Sequence, residues 1–512
     1  MNSYLLCLVA LIPIIWLMVS LGILKLPAHK TCTATLVLTL VLAMFVWKMP
    51  LTSAFTAALE GTALGLWPIM IVIMAAVFTY NVSLHTNSME TIKKILSNIT
   101  TDERILVLIL AWGFGGFLEA VAGFGTAVAI PASILAAMGL DPIFASVICL
   151  IANTVPTAFG AIGIPVTTLA KVAGLDVNVL SYTTAIQLTL FIVIIPLVLV
   201  ILTAKSIRGV KGVIGISLAS GIAFAIPQLL AAKYMGAELP ALLGSISSMA
   251  VTIFLAKKFH KENKNKNNKN KDISFKEGVI AWMPYILIFT FIILSSSLFP
   301  SIKSALESIS TSLYIYNGQG AKPFVFKWIA TPGVLIIIAA FIGGMIQGAK
   351  FVNLVKVLID TMKQLTKSAI TVLSIVALAK VMGYSGMIDS IAQILAKVTG
   401  RFFPFISPII GALGTFVTGS DTSSNVLFGQ LQVNVANSIN ANPYWLTAAN
   451  AAGATAGKMI SPQSIAVATA ATGLVGSEGK IFNKTLKFCI VYVIVLGVMV
   501  LIGGNFINLL IH

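Results

Sequence analysis

The sequence predicts an all-α polytopic membrane protein of about 12 transmembrane helices plus two re-entrant hairpins, arranged as inverted-topology repeats. Three observations carry this reading. Only 10% of the 512 residues are charged and 58% are hydrophobic, against about 25% charged in an ordinary soluble domain. The apolar residues fall in long uninterrupted runs, matching the ~20 residues a helix needs to cross a bilayer. One half of the chain also recurs in the other at an offset of 297 to 300 residues.

Taken in chain order, the first run, 5 to 24, has no Lys or Arg before it and no small-x-small cleavage site after it. It reads as a retained span within segment 1–29, not as a signal peptide. A first repeat, 30–204, holds predicted spans at 32 to 47, 54 to 80 and 182 to 204, a hairpin at 105–138 and a broken helix at 143–170. The connecting segment 205–328 holds spans at 212 to 231, 239 to 256 and 279 to 299 around a basic loop, 257–278. The second repeat, 329–512, holds spans at 329 to 348, 367 to 386 and 484 to 510, a hairpin at 402–438 and a broken helix at 443–474. Both hairpin segments are too long and too interrupted by Gly and polar residues for ordinary spans.

Sidedness follows from the basic residues, which favour cytoplasmic loops. If both hairpin segments enter and return on one face and both termini lie outside, 23 Lys and Arg fall inside and 8 outside, with Lys380 and Lys458 left within spans. Making either segment a single crossing puts basic loops on both sides. The loop KKFHKENKNKNNKNKD (257–272) has no apolar residue after Phe259 and reads as a disordered cytoplasmic linker.

Confinement of the positive charge to such gaps also excludes a nucleic-acid surface, despite a net charge of +17. Cys7, Cys32, Cys149 and Cys489 stand singly and read as buried hydrophobes. His29, His85, His260 and His512 fall in predicted loops or at the terminus, and no HExxH motif occurs. Metal cages, cofactor sites and membrane-enzyme chemistry therefore lack their parts.

The repeat is most specific around the breaks. Asn153, Gly160 and Pro165 recur as Asn450, Gly457 and Pro462, and Phe117 recurs as Phe416. Opposite orientation of two such halves is a signature of secondary carriers.

Candidate binding residues cluster in the same places. The first hairpin reads WGFGGFLEAVAGFGTAVAIP, with Glu119 among glycines; Gly123, Gly125 and Thr126 mark its turn. The second reads GTFVTGSDTSSNVLFG and crowds Ser420, Asp421, Thr422, Ser423, Ser424 and Asn425 into one turn. The broken helices carry Asn153, Thr154 and Thr157, then Asn450, Lys458, Ser461 and Gln463. Half-helix N-termini and a nearby ammonium suit a small organic anion. Ionisable residues in spans are functional by default, since burying them is expensive; the structural alternative for Glu119, Asp421 and Lys458 is a mutual ion pair. Lys380, near a span end, is expected to snorkel, and Glu60 to be interfacial.

Four stretches, FLEAVAGFGTAVAIP, ANTVPTAFGAIGIPVT, TGSDTSSNVLFGQLQ and AANAAGATAGKMISPQSIAVA, resemble the signature segments of the L-lactate permease family. The resemblance covers most of the chain apart from the Asn/Lys loop. It implies proton-coupled symport of L-lactate, and of D-lactate and glycolate, across a bacterial plasma membrane. No cofactor is expected, and the partners expected are the organic anion, the proton, the lipid bilayer and a second copy in a homodimer. On that reading Glu119 and Asp421 are the proton-linked carboxyls. Lys458 attracts the carboxylate of a 2-hydroxymonocarboxylate, and the Asn, Ser and Thr groups bind the rest. The rival readings are a sodium-coupled carrier of dicarboxylates or short-chain fatty acids, and an anion channel.

Overall fold

A computed structural model describes residues 3–20, 24, 26–97, 99–121, 123, 125–259, 274–295, 299–474 and 477–504. Among these, helix is interrupted by a single two-stranded ribbon, β1 (Ser310–Leu313) antiparallel to β2 (Phe324–Lys327). Among the described residues, ten helices are long and apolar enough to cross a membrane, or eleven if one bent pair counts as a span.

The runs outside that number are short by this measure, since a span needs ~20 residues. Of the run at 5 to 24, α1 (Ser3–Met18) gives 16 residues, and residues 21–23 at the end of the run lie outside the described ones. The run at 329 to 348 likewise yields a 15-residue helix, Pro332–Ile346, and that at 443–474 divides at Lys458 into helices of 16 and 11 residues. Conversely, Glu103–Val121 and Met387–Phe416 are long enough although both reach into the hairpin segments. The core of the predicted basic loop, residues 260–273, lies outside the described residues, as do His260, His512 and the end of the last predicted span. The loop's edges are helical: one helix runs to Phe259, and a capping box of Ser274 with Glu277 starts the next at Phe275.

After α2 (Ala28–Phe45) come α3 (Leu51–Leu64) and α4 (Ile71–His85), separated within 51–85 by a kink at Trp67, whose φ/ψ of −130° and 112° are not helical. Their repeat counterpart, Phe351–Ser385, is one helix of 35 residues that packs antiparallel to both. At Gly61 a Cβ would come within 2.4 Å of the Ala377 backbone. At one end Lys380 Nζ pairs with Glu60 Oε1 at 2.9 Å and Tyr384 donates to the same oxygen at 2.7 Å; at the other, Asn81 donates to Thr361 at 2.8 Å. Lys380 therefore does not simply snorkel, and Glu60 is buried. The partner of each lies in the other half of the chain, where local spacing could not reveal it.

Next come α5 (Ser88–Ser97), α6 (Glu103–Val107) and the first hairpin, α7 (Gly115–Val121) with α8 (Thr126–Ala137). Its turn uses left-handed backbone at Gly123 (φ 60°) and Gly125 (φ 86°). The first broken helix is α9 (Pro142–Ala152), a 3₁₀ turn at Pro156–Phe159, and α10 (Gly160–Ala173), bent by 57°. Ala161, Ile162 and Gly163 are consecutively left-handed there, a conformation L-residues resist. The chain continues through α11 (Val177–Thr203), α12 (Ile214–Tyr234), α13 (Pro240–Phe259), α14 (Phe275–Leu294), α15 (Pro300–Glu307), α16 (Pro332–Ile346), α17 (Phe351–Ser385) and α18 (Met387–Thr399).

The second hairpin, α19 (Phe403–Thr418) with α20 (Asp421–Ser438), turns at Gly419 (φ 73°). The second broken helix, α21 (Pro443–Lys458) and α22 (Pro462–Thr472), precedes α23 (Glu478–Gly503). Packing crosses between halves: α10 lies on α20, and α22 on α8, while α11 lies on α21 and α23 on α9. Small residues permit the closest approach. A Cβ at Gly453 or Gly457 would come within 2.0 or 2.1 Å of the carbonyls of Pro408 and Ala412 on α19.

A buried amide chain ties these parts together. Ser407 donates to Gln432 Oε1, Gln432 Nε2 to Asn450 Oδ1, Asn450 Nδ2 to Asn425 Oδ1, and Asn425 Nδ2 to the Pro165 carbonyl, over 2.9–3.2 Å. The last bond crosses from the second hairpin to the first broken helix. Asn450→Ala would strand a buried donor and a buried acceptor, at a cost of about 1–3 kcal/mol. A lower thermal midpoint of the purified protein in detergent is expected, and an unchanged midpoint would remove this structural role.

Candidate functional site

Both hairpin turns and both helix breaks converge on one cavity of about 630 Å³. The first hairpin contributes Glu119, Gly123 and Gly125; the first break, Thr157, Gly160, Ala161 and Pro165. The second hairpin contributes Thr418 to Ser423, and the second break Lys458, Pro462, Gln463 and Ser464. The volume is within the range of small-molecule sites.

Local sequence explains how these groups are held. Ser420 caps α20, its side chain accepting from the Ser423 N–H at 3.2 Å. Ser461 caps α22 in the same way through Ser464, with Pro462 at the first helical position. The remaining first amides of both helices have no intrahelical acceptor, and both positive dipole ends border the cavity. At Gly125 a Cβ would be 2.9 Å from Val467, and at Gly419 2.1 Å from Gln463. The two hairpin turns thus abut α22, and side chains there would fill the junction.

The charged groups are arranged unevenly. Glu119 and Asp421 are each 3% exposed. Glu119 Oε2 accepts from Asn153 Nδ2 at 3.0 Å, but neither Asp421 oxygen has a hydrogen-bond partner among the described residues; the Thr415 hydroxyl stands beside it without closing a bond. Lys458 is near enough to act electrostatically on both carboxyls. Its only hydrogen bond among the described residues is to the Gly419 carbonyl, at 3.3 Å. No ion pair among those residues joins it to either acid. A buried carboxyl without a donor and a cation held close by, unpaired, form a site able to take an anion and a proton.

Of the residues singled out by sequence, Glu119, Gly123, Gly125, Thr157, Ser420, Asp421, Thr422, Ser423, Lys458 and Gln463 line the cavity. Seven do not. Thr126 bonds back to Gly123, and Thr154 to Leu150. Asn153 reaches the cavity only through Glu119, Ser461 serves as a cap, and Ser424 closes its hairpin onto Gly411. Asn425 and Asn450 belong to the buried amide chain.

The cavity also has a wall that no motif marks. His29, in the first turn of α2 rather than in a loop, lines it together with Lys367, Ser368 and Thr371 of α17. The four cysteines are all buried and free.

A family profile described as L-lactate permease matches residues 6–506. An L-lactate permease of Streptococcus iniae is 54% identical over 439 residues, covering 86% of this chain and 92% of that protein. The Escherichia coli (strain K12) glycolate permease GlcA is 36% identical, covering 97% and 95%. A Bacillus subtilis (strain 168) L-lactate permease is 36% identical, covering 95% and 93%. Among solved structures, the Alcanivorax borkumensis YdaH transporter is similar over 93% of this chain and 98% of its own, at 13% identity and a TM-score of 0.48. With the four signature stretches gathered around one cavity and a family match over nearly the whole chain, this protein belongs to the L-lactate permease family, integral membrane transporters rather than enzymes.

Proposed function

We propose that the protein is a proton-coupled symporter of L-lactate, accepting D-lactate and glycolate, in a bacterial plasma membrane. The observation that carries this reading is the cavity itself, in which two buried carboxyls and one unpaired ammonium face two half-helix N-termini. The lactate carboxylate is received by Lys458 and the free amides of α20 and α22, and the Ser and Thr hydroxyls take the 2-hydroxyl. Glu119 or Asp421 carries the proton. Names of the relatives support the substrate class, and the absence of a hydrogen-bond donor on Asp421 supports protonation in the cycle. Sodium coupling predicts a cluster of exposed carbonyls as ligands; the paired carboxyls favour the proton.

The two hairpins are, on this proposal, re-entrant from opposite faces, the two halves forming an inverted repeat with the mouth of the cavity cytoplasmic. What supports it is the basic-residue asymmetry and the reciprocal packing of α10 on α20 and α22 on α8. Cysteines introduced at Met138 and Ser438, both exposed, test it against a background of four buried native cysteines. Met138→Cys should label from the cytoplasm and Ser438→Cys from outside with an impermeant maleimide; labelling of both from one face would end the inverted-repeat reading.

Coupling is tested by labelled lactate in proteoliposomes under an imposed pH gradient. Replacing sodium by choline at fixed pH should change nothing. Neutral replacement at the proton carrier, Glu119→Gln or Asp421→Asn, should abolish uphill uptake while leaving counterflow partly intact. If both variants still accumulate lactate on a pH gradient, neither acid carries the proton.

Lys458 should set anion affinity. Lys458→Met is expected to weaken lactate binding at least tenfold, about 1.4 kcal/mol, in well-folded protein. Lys458→Arg should rescue poorly, because a planar guanidinium does not replace a compact ammonium. Unchanged affinity in folded Lys458→Met would leave the residue as a tether between the end of α21 and Gly419 only.

A further inference from the structure

The charge count places Lys367 at the edge of a basic cytoplasmic stretch, yet it stands midway along α17, with 16 helical residues before it and 18 after. Ser368, Thr371 and Val372 line the cavity beside it, as the one-turn spacing of a helix face requires. Lys367 is exposed, and no ion pair or hydrogen bond of its ammonium occurs among the described residues. Thr371 donates to the Lys367 carbonyl at 3.0 Å, leaving its oxygen free to accept. Lys458, by contrast, is half-buried and tethered at the hairpin turn. Lys363, one turn before Lys367, does not line the cavity and pairs with Asp360 at 3.8 Å.

We propose that Lys367 is a second carboxylate-receiving cation and a specificity-determining residue of the transport site, placed at the cavity's mouth on the wall formed by α17. This rests on the transport reading above and extends it. A monocarboxylate entering from, or leaving to, the cytoplasm meets Lys367 first, with its 2-hydroxyl toward Thr371, and passes inward to Lys458. An exposed ammonium in a polar cleft acts at a distance and is screened by salt. Its effect therefore belongs to one face of the membrane. With Lys367 counted, the cavity holds two cations for two carboxyls, so an arriving monocarboxylate adds one negative charge, which a single proton offsets.

The test compares lactate KM in inside-out and right-side-out membrane vesicles at low and high ionic strength. In Lys367→Gln the KM at the cytoplasmic face should rise about three- to fivefold at low salt, the scale of an exposed charge. At ~0.5 M salt the difference from wild type should vanish. At the outer face KM should be unchanged. Lys367→Arg should restore the wild-type value, since a screened point charge does not depend on ammonium geometry, and Lys363→Gln should behave as wild type. An unchanged cytoplasmic KM in Lys367→Gln overturns the proposal. So does an equal rise at both faces, which marks a structural defect, or an equal rise in Lys363→Gln, which marks general surface charge. If wild-type vesicles move no lactate, the transport reading fails instead; if they do and Lys367→Gln is silent, only the second cation fails.

Discussion

Backbone amides and carbonyls cannot be left bare in hydrocarbon, and the rest of the structure follows from that constraint. Among the described residues, two hairpin turns and two helix breaks interrupt the helices around the cavity. Each of these is buried against another rather than facing lipid. The turn at Gly125 meets Val467, that at Gly419 meets Gln463, and the Asn425 amide takes the carbonyl of Pro165. What the breaks expose, they expose to one another and to the cavity. A polar site inside an apolar protein is thus a consequence of where the broken backbone has to go.

The same economy governs the charges. Of the acids in the helical bundle, Glu60 on α3 is engaged on one oxygen by Lys380 and Tyr384 of α17, and its other oxygen has no hydrogen-bond partner among the described residues. Such a pair compensates desolvation and fixes the register of two antiparallel helices. Glu119 and Asp421 differ in having no ion pair among the described residues: Glu119 accepts from the neutral amide of Asn153, Asp421 has no hydrogen-bond partner there, and the nearby Lys458 ammonium bonds a carbonyl instead. Two kinds of buried carboxyl therefore coexist, one locked and one available, and the available pair faces the cavity.

Close packing makes the arrangement stiff where it must be. Gly453 and Gly457 let α21 approach the carbonyls of α19 directly, so the second hairpin and the second broken helix pack as one body. The amide chain from Ser407 through Asn450 and Asn425 then fastens that body to the first broken helix. Lys367 and His29 stand on elements outside it, across the cavity. A ligand held between the two walls would sense any movement of one against the other.

Composition and run length by themselves determined the membrane class, and the positions of the hairpin turns and breaks were legible because Gly, Pro and clustered polar residues interrupt apolar runs. Ten of the seventeen singled-out site residues line the cavity, all of them at those interruptions. Tertiary structure decided the rest. It moved Asn425 and Asn450 into a buried network, paired Glu60 with Lys380, and brought Lys367 from an apparent loop into the cavity wall. Local patterning records the cost of burying a residue, but not which partner from the other half of the chain will meet it. Hydrogen bonds and ion pairs between residues some 260 to 320 positions apart are chosen by packing, and only the folded chain discloses them.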